Sequence, residues 1–237
     1  KEINYSIIPF LLAIVYLYFI QGVRPIYFLL GSGSWGVGCF VKIILHSLIV
    51  KKLPHNAEKI AGTSFINGLI SGITELGGAV LFFYLFSITG FLEILAFGVG
   101  IGAFEALITG SSKSAQLFKG TELEKPALEL EAVLNNLEGF KKMWYQKILP
   151  VLERLIAGFI HIGTRGLALI SILTLNPLPI LLAIASFTIA DGVIGYQMLY
   201  LGKLSNLKNL NKTYLYLAVL SLATIILFLL LWTMMIV

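Results

Sequence analysis

Charged residues are scarce in this chain of 237 residues: they make up 12% of it, whereas soluble domains carry about a quarter. Hydrophobic residues make up 58%, and so few charges cannot cover the surface of a soluble domain of this size. Cysteine is nearly absent as well. Cys39 stands alone, which excludes an internal disulfide and a cysteine-rich metal site. The composition therefore indicates an integral membrane protein.

The apolar residues are gathered in long runs without the strict alternation of barrel strands. About 20 apolar helical residues cross a hydrocarbon core of about 30 Å. The sequence therefore predicts an all-α polytopic membrane protein, with one domain over residues 1–237, about seven transmembrane helices and a polar interior. We expect the first run to be a membrane segment, because no small-residue cleavage site of a signal peptide follows it. The predicted segments are 3–20, 26–50, 60–87, 91–110, 148–172, 177–201 and 213–236.

The basic residues between these segments fall in alternate loops. Arg24 is the only one in the odd-numbered loops. By the positive-inside rule, the N-terminus is predicted in the cytoplasm and the C-terminus outside the cell membrane. The formal net charge of +5 thus reflects orientation in a lipid bilayer, and no nucleic-acid partner is expected. The lysines of the even-numbered loops are Lys51, Lys52, Lys59, Lys113, Lys119, Lys125, Lys141, Lys142, Lys147, Lys203, Lys208 and Lys212.

The loop at about 111–147 is the only sizeable polar segment. Residues 126–139 begin with a proline and end with a glycine, which is typical of a short helix, and their pattern is amphipathic. Lys142 and Trp144 follow, a pairing suited to the headgroup layer. This helix is interpreted as a surface helix between two spans, and the alternative is a lid over a cavity that faces the cytoplasm.

Small residues recur inside the predicted spans. Residues 31–36 (GSGSWG) match the letters of a dinucleotide-binding fingerprint, but they lie in a membrane segment and follow no strand. Gly68 with Gly72, and Gly98 with Gly102, show the same spacing of four. These residues are predicted to let helix backbones approach closely.

Ionisable residues at membrane depth are costly, and by default they indicate a functional interior or a buried ion pair. At about 1.5 Å per residue, Glu75, His161 and Asp191 come out near the midplane. A shallower group comes out within about 10 Å of the cytoplasmic side, namely His46, Glu105, Glu153 and Arg154. The charges are nearly balanced, so the groups could also pair only among themselves and fix helix register. The nine residues are Lys42, His46, Glu75, Glu105, Glu153, Arg154, His161, Arg165 and Asp191.

Eight of these residues, all but Arg165, fall in five short motifs on predicted helices 2 to 6. The motifs are Lys42-Ile-Ile-Leu-His46, Gly72-Ile-Thr-Glu75, Gly98-Val-Gly-Ile-Gly-Ala-Phe-Glu105, Glu153-Arg154-Leu-Ile-Ala-Gly-Phe-Ile-His161 and Phe187-Thr-Ile-Ala-Asp191. In order and spacing these motifs resemble those of the YhfC-type family of intramembrane metalloproteases, distant kin of the CAAX-protease-like membrane proteins.

The resemblance implies a metal site and catalytic carboxylates. It assigns Glu75 and Glu105 as catalytic residues, and zinc as the expected cofactor. The implied metal ligands are His161, Asp191, Glu75 and His46, and the implied supporting ion pairs involve Lys42, Glu153, Arg154 and Arg165.

Four positions depart from the family motifs. Leu76 replaces a glutamate, Ala79 an arginine, and Ile101 and Phe187 replace histidines. None of these side chains can bind a metal or move a proton. The sequence therefore predicts a degenerate or weakened metal site in a protein that binds or processes membrane-embedded protein segments. The alternatives are an active intramembrane metalloprotease and a proton- or cation-coupled transporter.

Overall fold

The computed structural model describes residues 5–49, 52–53, 60–111, 124–199 and 206–235, and in these ranges regular structure is helical throughout. Turns join successive helices where the connections are described. The helices are α1 (Tyr5–Ile20), α2 (Ile26–Leu48), α3 (Ile60–Phe86), α4 (Phe91–Ser111), α5 (Glu124–Asn135), α6 (Gly139–Thr174), α7 (Pro177–Leu199) and α8 (Leu207–Met235).

Six helices, α2, α3, α4, α6, α7 and α8, are long and apolar enough to cross a membrane. They correspond to the second to seventh predicted segments, which confirms the all-α, multi-pass fold class. The first predicted segment forms α1, an apolar helix shorter than the other six. At about 1.5 Å per residue, its described part is about 24 Å long, against a hydrocarbon core of about 30 Å.

Helix boundaries differ from the predicted segments at two lysine-rich ends. α6 begins at Gly139, where the prediction gave 148, and a π-helical turn over Trp144–Ile148 carries it into the span. α8 begins at Leu207, where the prediction gave 213. Hydropathy marks where the lipid begins, whereas a helix needs only backbone hydrogen bonds and tolerates lysine well. The short loop helix, predicted over 126–139, is α5 and ends at Asn135.

Five of the long helices form a closed ring in which each packs against the next, in the order α2, α3, α7, α6, α4 and back to α2. α8 packs on the outside of α6, and α1 packs against α4 and α6. At one end of the bundle α2 and α7 finish, and α3, α6 and α8 begin. We call this end the lysine-rich end. Toward the opposite end the interior is apolar and includes Phe83, Ile94, Phe97 and Ile170.

Glycines set the close approach of the ring helices, as predicted. A Cβ added at Gly68 of α3 would lie 2.4 Å from the carbonyl oxygen of Thr188 on α7. A Cβ added at Gly31 of α2 would lie 2.0 Å from the carbonyl oxygen of Phe97 on α4. Real side chains do not pack at such distances, so both contacts require glycine. Gly36, by contrast, has open space around its missing side chain.

Candidate functional site

Glu75 of α3 lies between two cations. Lys42 Nζ of α2 donates to Glu75 Oε1 at 3.3 Å and to Asp191 Oδ2 of α7 at 3.1 Å. Arg165 Nη2 of α6 donates to Glu75 Oε2 at 3.1 Å. Gly38 makes this possible, because a Cβ there would lie 2.8 Å from the Glu75 Cα and would hold α2 away. The Glu75 carboxylate thus joins α3 to α2 and α6, and Lys42 extends the link to α7. We call these four charged residues the Glu75 group.

Arg165 is the most deeply placed member of the Glu75 group, with a fully buried side chain. Its Nη1 donates to Thr164 Oγ1 at 2.9 Å, and its guanidinium carbon lies 4.7 Å from the ring centroid of Phe187. A cation over an aromatic face is stabilised by the ring quadrupole, and more so when water is excluded. Phe187 therefore supplies a contact that helps to keep the Arg165 charge buried.

A second group surrounds Glu105 of α4. Arg154 Nη1 donates to Glu105 Oε1 at 2.8 Å, and His161 Nε2 lies 2.8 Å from Glu105 Oε2. Arg154 also donates to Glu153, whose other oxygen accepts a hydrogen bond from the Tyr214 hydroxyl of α8 at 2.8 Å. We call these five residues the Glu105 group, and it joins α4, α6 and α8.

The two groups meet at Phe187. Its ring centroid lies 5.6 Å from that of His161, and its ring also contacts the Arg165 guanidinium. The structure thus brings Glu75 and Asp191 together through Lys42, and it places His161 with Glu105. His46 belongs to neither group: its Nδ1 lies 3.1 Å from Asn67 Oδ1. The expected midplane trio is therefore divided between two neighbouring ion-pair groups.

The side chains present do not fit a zinc ion. Among the described residues, no three His, Cys, Asp or Glu side chains form a group that could hold a metal ion. A catalytic zinc site uses three protein ligands and a water. Glu75 is bonded to two cations and the His161 Nε2 atom to Glu105. Among the described atoms of these two side chains only His161 Nδ1 is unpartnered, and one nitrogen does not make a three-ligand site.

The four positions that depart from the family motifs are part of the packed interior. Leu76, Ala79 and Ile101 have exposures of 1%, 0% and 0%, respectively, and belong to the main apolar core. Phe187 is buried in a smaller apolar cluster with Ile160 and Ala190. These four side chains therefore make well-packed apolar contacts rather than line gaps.

Exposure of the charged side chains increases through the two groups. It is 0% at Arg165 and 4% at Glu75, 25% at Asp191 and 27% at Lys42, and 37% at Glu153. The most exposed members lie on helix turns closer to the lysine-rich end. The charged side chains are therefore most deeply buried next to the apolar core, and the most exposed ones lie nearer the lysine-rich end.

Sequence reasoning missed Tyr214, which lies at the start of the last apolar segment. Tyr214 lies one turn before the fully apolar part of α8, and a tyrosine buried at such a position usually has a hydrogen-bond partner for its hydroxyl. This position was the signal from which a polar contact could have been predicted. Some buried polar atoms beside the two groups lack partners. Within the described part of the chain, Ser71 Oγ and, across the helix interface, Thr188 Oγ1 are buried without a hydrogen-bond partner, as is His161 Nδ1.

Comparisons with protein-family models, with curated proteins and with solved structures found no match to this chain. The site is therefore described from its own residues. It consists of two adjoining ion-pair groups inside a multi-pass helical membrane protein.

Proposed function

We propose that this protein is a divergent, non-catalytic relative of the YhfC-type intramembrane metalloproteases that binds membrane-embedded protein segments. One observation carries the proposal: Glu75 and Glu105, the two carboxylates a protease would use, are each bonded to cationic or histidine partners. A general base must be able to reach the proton it removes, and these oxygens are already occupied. The buried apolar side chains at the departing positions support the same conclusion.

The gap between α2 and α7 is the proposed binding place. In the ring α3 lies between these two helices and packs along both, and in the described part of the chain α2 and α7 have few contacts with each other. The Lys42–Asp191 pair bridges this gap, and Ile43, beside it on α2, is 64% exposed. A membrane segment lying in the gap would meet an apolar flank and one accessible ion pair. A polar side chain in that segment would gain a hydrogen bond within the membrane.

The experiment uses fluorescent peptides of about 20 apolar residues, long enough to span the bilayer, reconstituted with the labelled protein in vesicles. One peptide is all leucine and alanine, and the other carries a central asparagine. We expect energy transfer above that of random mixing, stronger with asparagine, and no cleavage product. The double variant Lys42→Met/Asp191→Leu removes the accessible pair without stranding a charge and should lose the asparagine preference, whereas Arg24→Met should keep it. Energy transfer at the random level for both peptides would contradict the proposal, and metal-dependent cleavage would favour the active metalloprotease.

A proton- or cation-coupled transporter is the second candidate. It is favoured by the rise in exposure through the two groups and by the unpartnered buried atoms Ser71 Oγ, Thr188 Oγ1 and His161 Nδ1. A bound water or ion is one explanation for such atoms in a native structure. Vesicles loaded with a pH-sensitive dye test this candidate. A proton flux that is abolished by Asp191→Asn would favour transport over segment binding.

We also propose that the protein lies in the cell membrane with its lysine-rich end in the cytoplasm. The support is the lysine distribution, since basic loops are retained on the cytoplasmic side. Under this orientation the more exposed end of the polar interior faces the cytoplasm, and the C-terminus lies outside.

A further inference from the structure

A groove of about 550 Å³ runs between α6 and α8 on the outside of the ring, apart from both ion-pair groups. Its walls are almost wholly apolar and include Leu152, Ile156 and Phe159 of α6. On the α8 side it extends from Asn211 to Leu222. At about 1.5 Å per residue this is about 16 Å, close to half of a hydrocarbon core of about 30 Å. The groove therefore has the depth of one leaflet.

The mouth of the groove is polar and lies at the lysine-rich end. Trp144 lines it, and Asn211 Nδ2 donates to the Tyr145 hydroxyl at 2.9 Å across the two helices. Tryptophan and tyrosine favour the headgroup layer, where one edge of the ring is wet and the rest is apolar. The mouth is therefore placed at headgroup level, with the apolar walls in the acyl-chain region.

Exposed cations lie on the same helix turns as the residues of this mouth. Lys147 follows Trp144 by one turn of α6, and Lys208 and Lys212 flank Asn211 on α8, all three exposed. The acids on the same stretches are Glu138, which is exposed, and Glu153, which is bonded to Arg154 and Tyr214. The excess of positive charge complements an anionic headgroup and gives a zwitterionic one no comparable gain.

We propose that this groove is a selective site for an anionic phospholipid, with one acyl chain between α6 and α8 and its phosphate beside Lys147, Lys208 and Lys212. The apolar walls, the one-leaflet depth and the cationic mouth all follow from the same two helices. The site is independent of the proposed segment binding, since it shares no described residue with the α2–α7 gap.

The experiment uses vesicles of phosphatidylglycerol and phosphatidylcholine in equal amounts, with bromine on the acyl chains of one lipid or of the other. Bromine quenches tryptophan at short range, so without selectivity the two brominated lipids quench equally. We expect stronger quenching by brominated phosphatidylglycerol. Trp144→Phe should abolish the difference, which assigns it to the groove rather than to Trp35 or Trp232. The expected preference is about fivefold for each lysine engaged.

Two matched pairs of variants complete the test. Ala218→Phe fills the groove and should remove the preference, whereas Val219→Phe, on the adjoining exposed face, should keep it. Lys208→Gln/Lys212→Gln should reduce the preference about 25-fold or to none, whereas Lys141→Gln should leave it unchanged. Equal quenching by the two brominated lipids in the unaltered protein would overturn the proposal. An undiminished preference in Ala218→Phe, in a variant with unchanged helix content and elution volume, would overturn it too.

Discussion

Replacing Arg165 by methionine should lower the free energy of unfolding more than replacing the exposed Arg24 by methionine. The side chain is fully buried and bonds Glu75 Oε2 at 3.1 Å. Methionine has a similar length and fills much of the space, so the change removes the charge with little cavity. Glu75 is then left with Lys42 alone, at 3.3 Å.

The magnitude follows from the cost of leaving a buried charge incompletely paired. Removing one partner of a buried ion pair costs about 3–5 kcal/mol. Because Lys42 still neutralises Glu75, we expect about 3 kcal/mol for Arg165→Met. Glu75→Gln should cost a similar amount, since it strands Arg165. The double variant Arg165→Met/Glu75→Gln removes both charges and should cost less than the sum of the two by about 1–2 kcal/mol.

The assay is reversible unfolding of the purified protein in mixed micelles by titration with a denaturing detergent. Arg24→Met is the matched control, because Arg24 is exposed and donates to the Tyr27 hydroxyl outside the ion-pair groups. It should leave the free energy of unfolding close to that of the unaltered protein, because an exposed charge is screened by solvent. Costs of Arg165→Met and Glu75→Gln that simply add in the double variant would refute the reasoning, since the pair would then contribute no coupling.

Two further predictions concern packing and orientation. Gly68→Ala should lower the free energy of unfolding by about 1–3 kcal/mol in the same assay, because its Cβ would meet the Thr188 carbonyl oxygen. Gly36→Ala, with open space around it, should cost nothing measurable. Equal effects of the two changes would mean that α3 and α7 are not in close contact. A reporter enzyme fused after Val237 should be active outside the cell, and one fused within the 113–147 loop should be active inside; the reverse result at both points would invert the proposed orientation.

The spans could be predicted because the bilayer imposes a length and a composition that sequence alone displays. The same lengths gave depths for the charged residues, and depth placed His161 with Glu75 and Asp191. The structure instead bonds His161 to Glu105, because α6 lies beside α4 at that turn and meets Glu75 only one turn later, at Arg165. Depth says which residues share a level, and only the order of helices around the ring says which of them are neighbours.

The role of Phe187 shows a second limit of the sequence. By itself the residue indicated only that a histidine of the family motif is absent. In the structure its ring contacts both His161 and Arg165, so it separates two groups of charges while stabilising one of them. A contact of this kind depends on side chains from α6 and α7 meeting at one level, which no local pattern encodes.

Metal analysis of the purified protein separates an ion-paired interior from a metal centre. We expect well under one zinc per chain, since Glu75 and Glu105 are already bonded to protein cations and His161 to Glu105. The double variant Ile101→His/Phe187→His introduces two imidazoles and is the matched comparison for zinc uptake. About one zinc per chain in the unaltered protein, reduced by Glu75→Gln and His161→Ala, would contradict the ion-paired interior and would restore a metalloprotease centre.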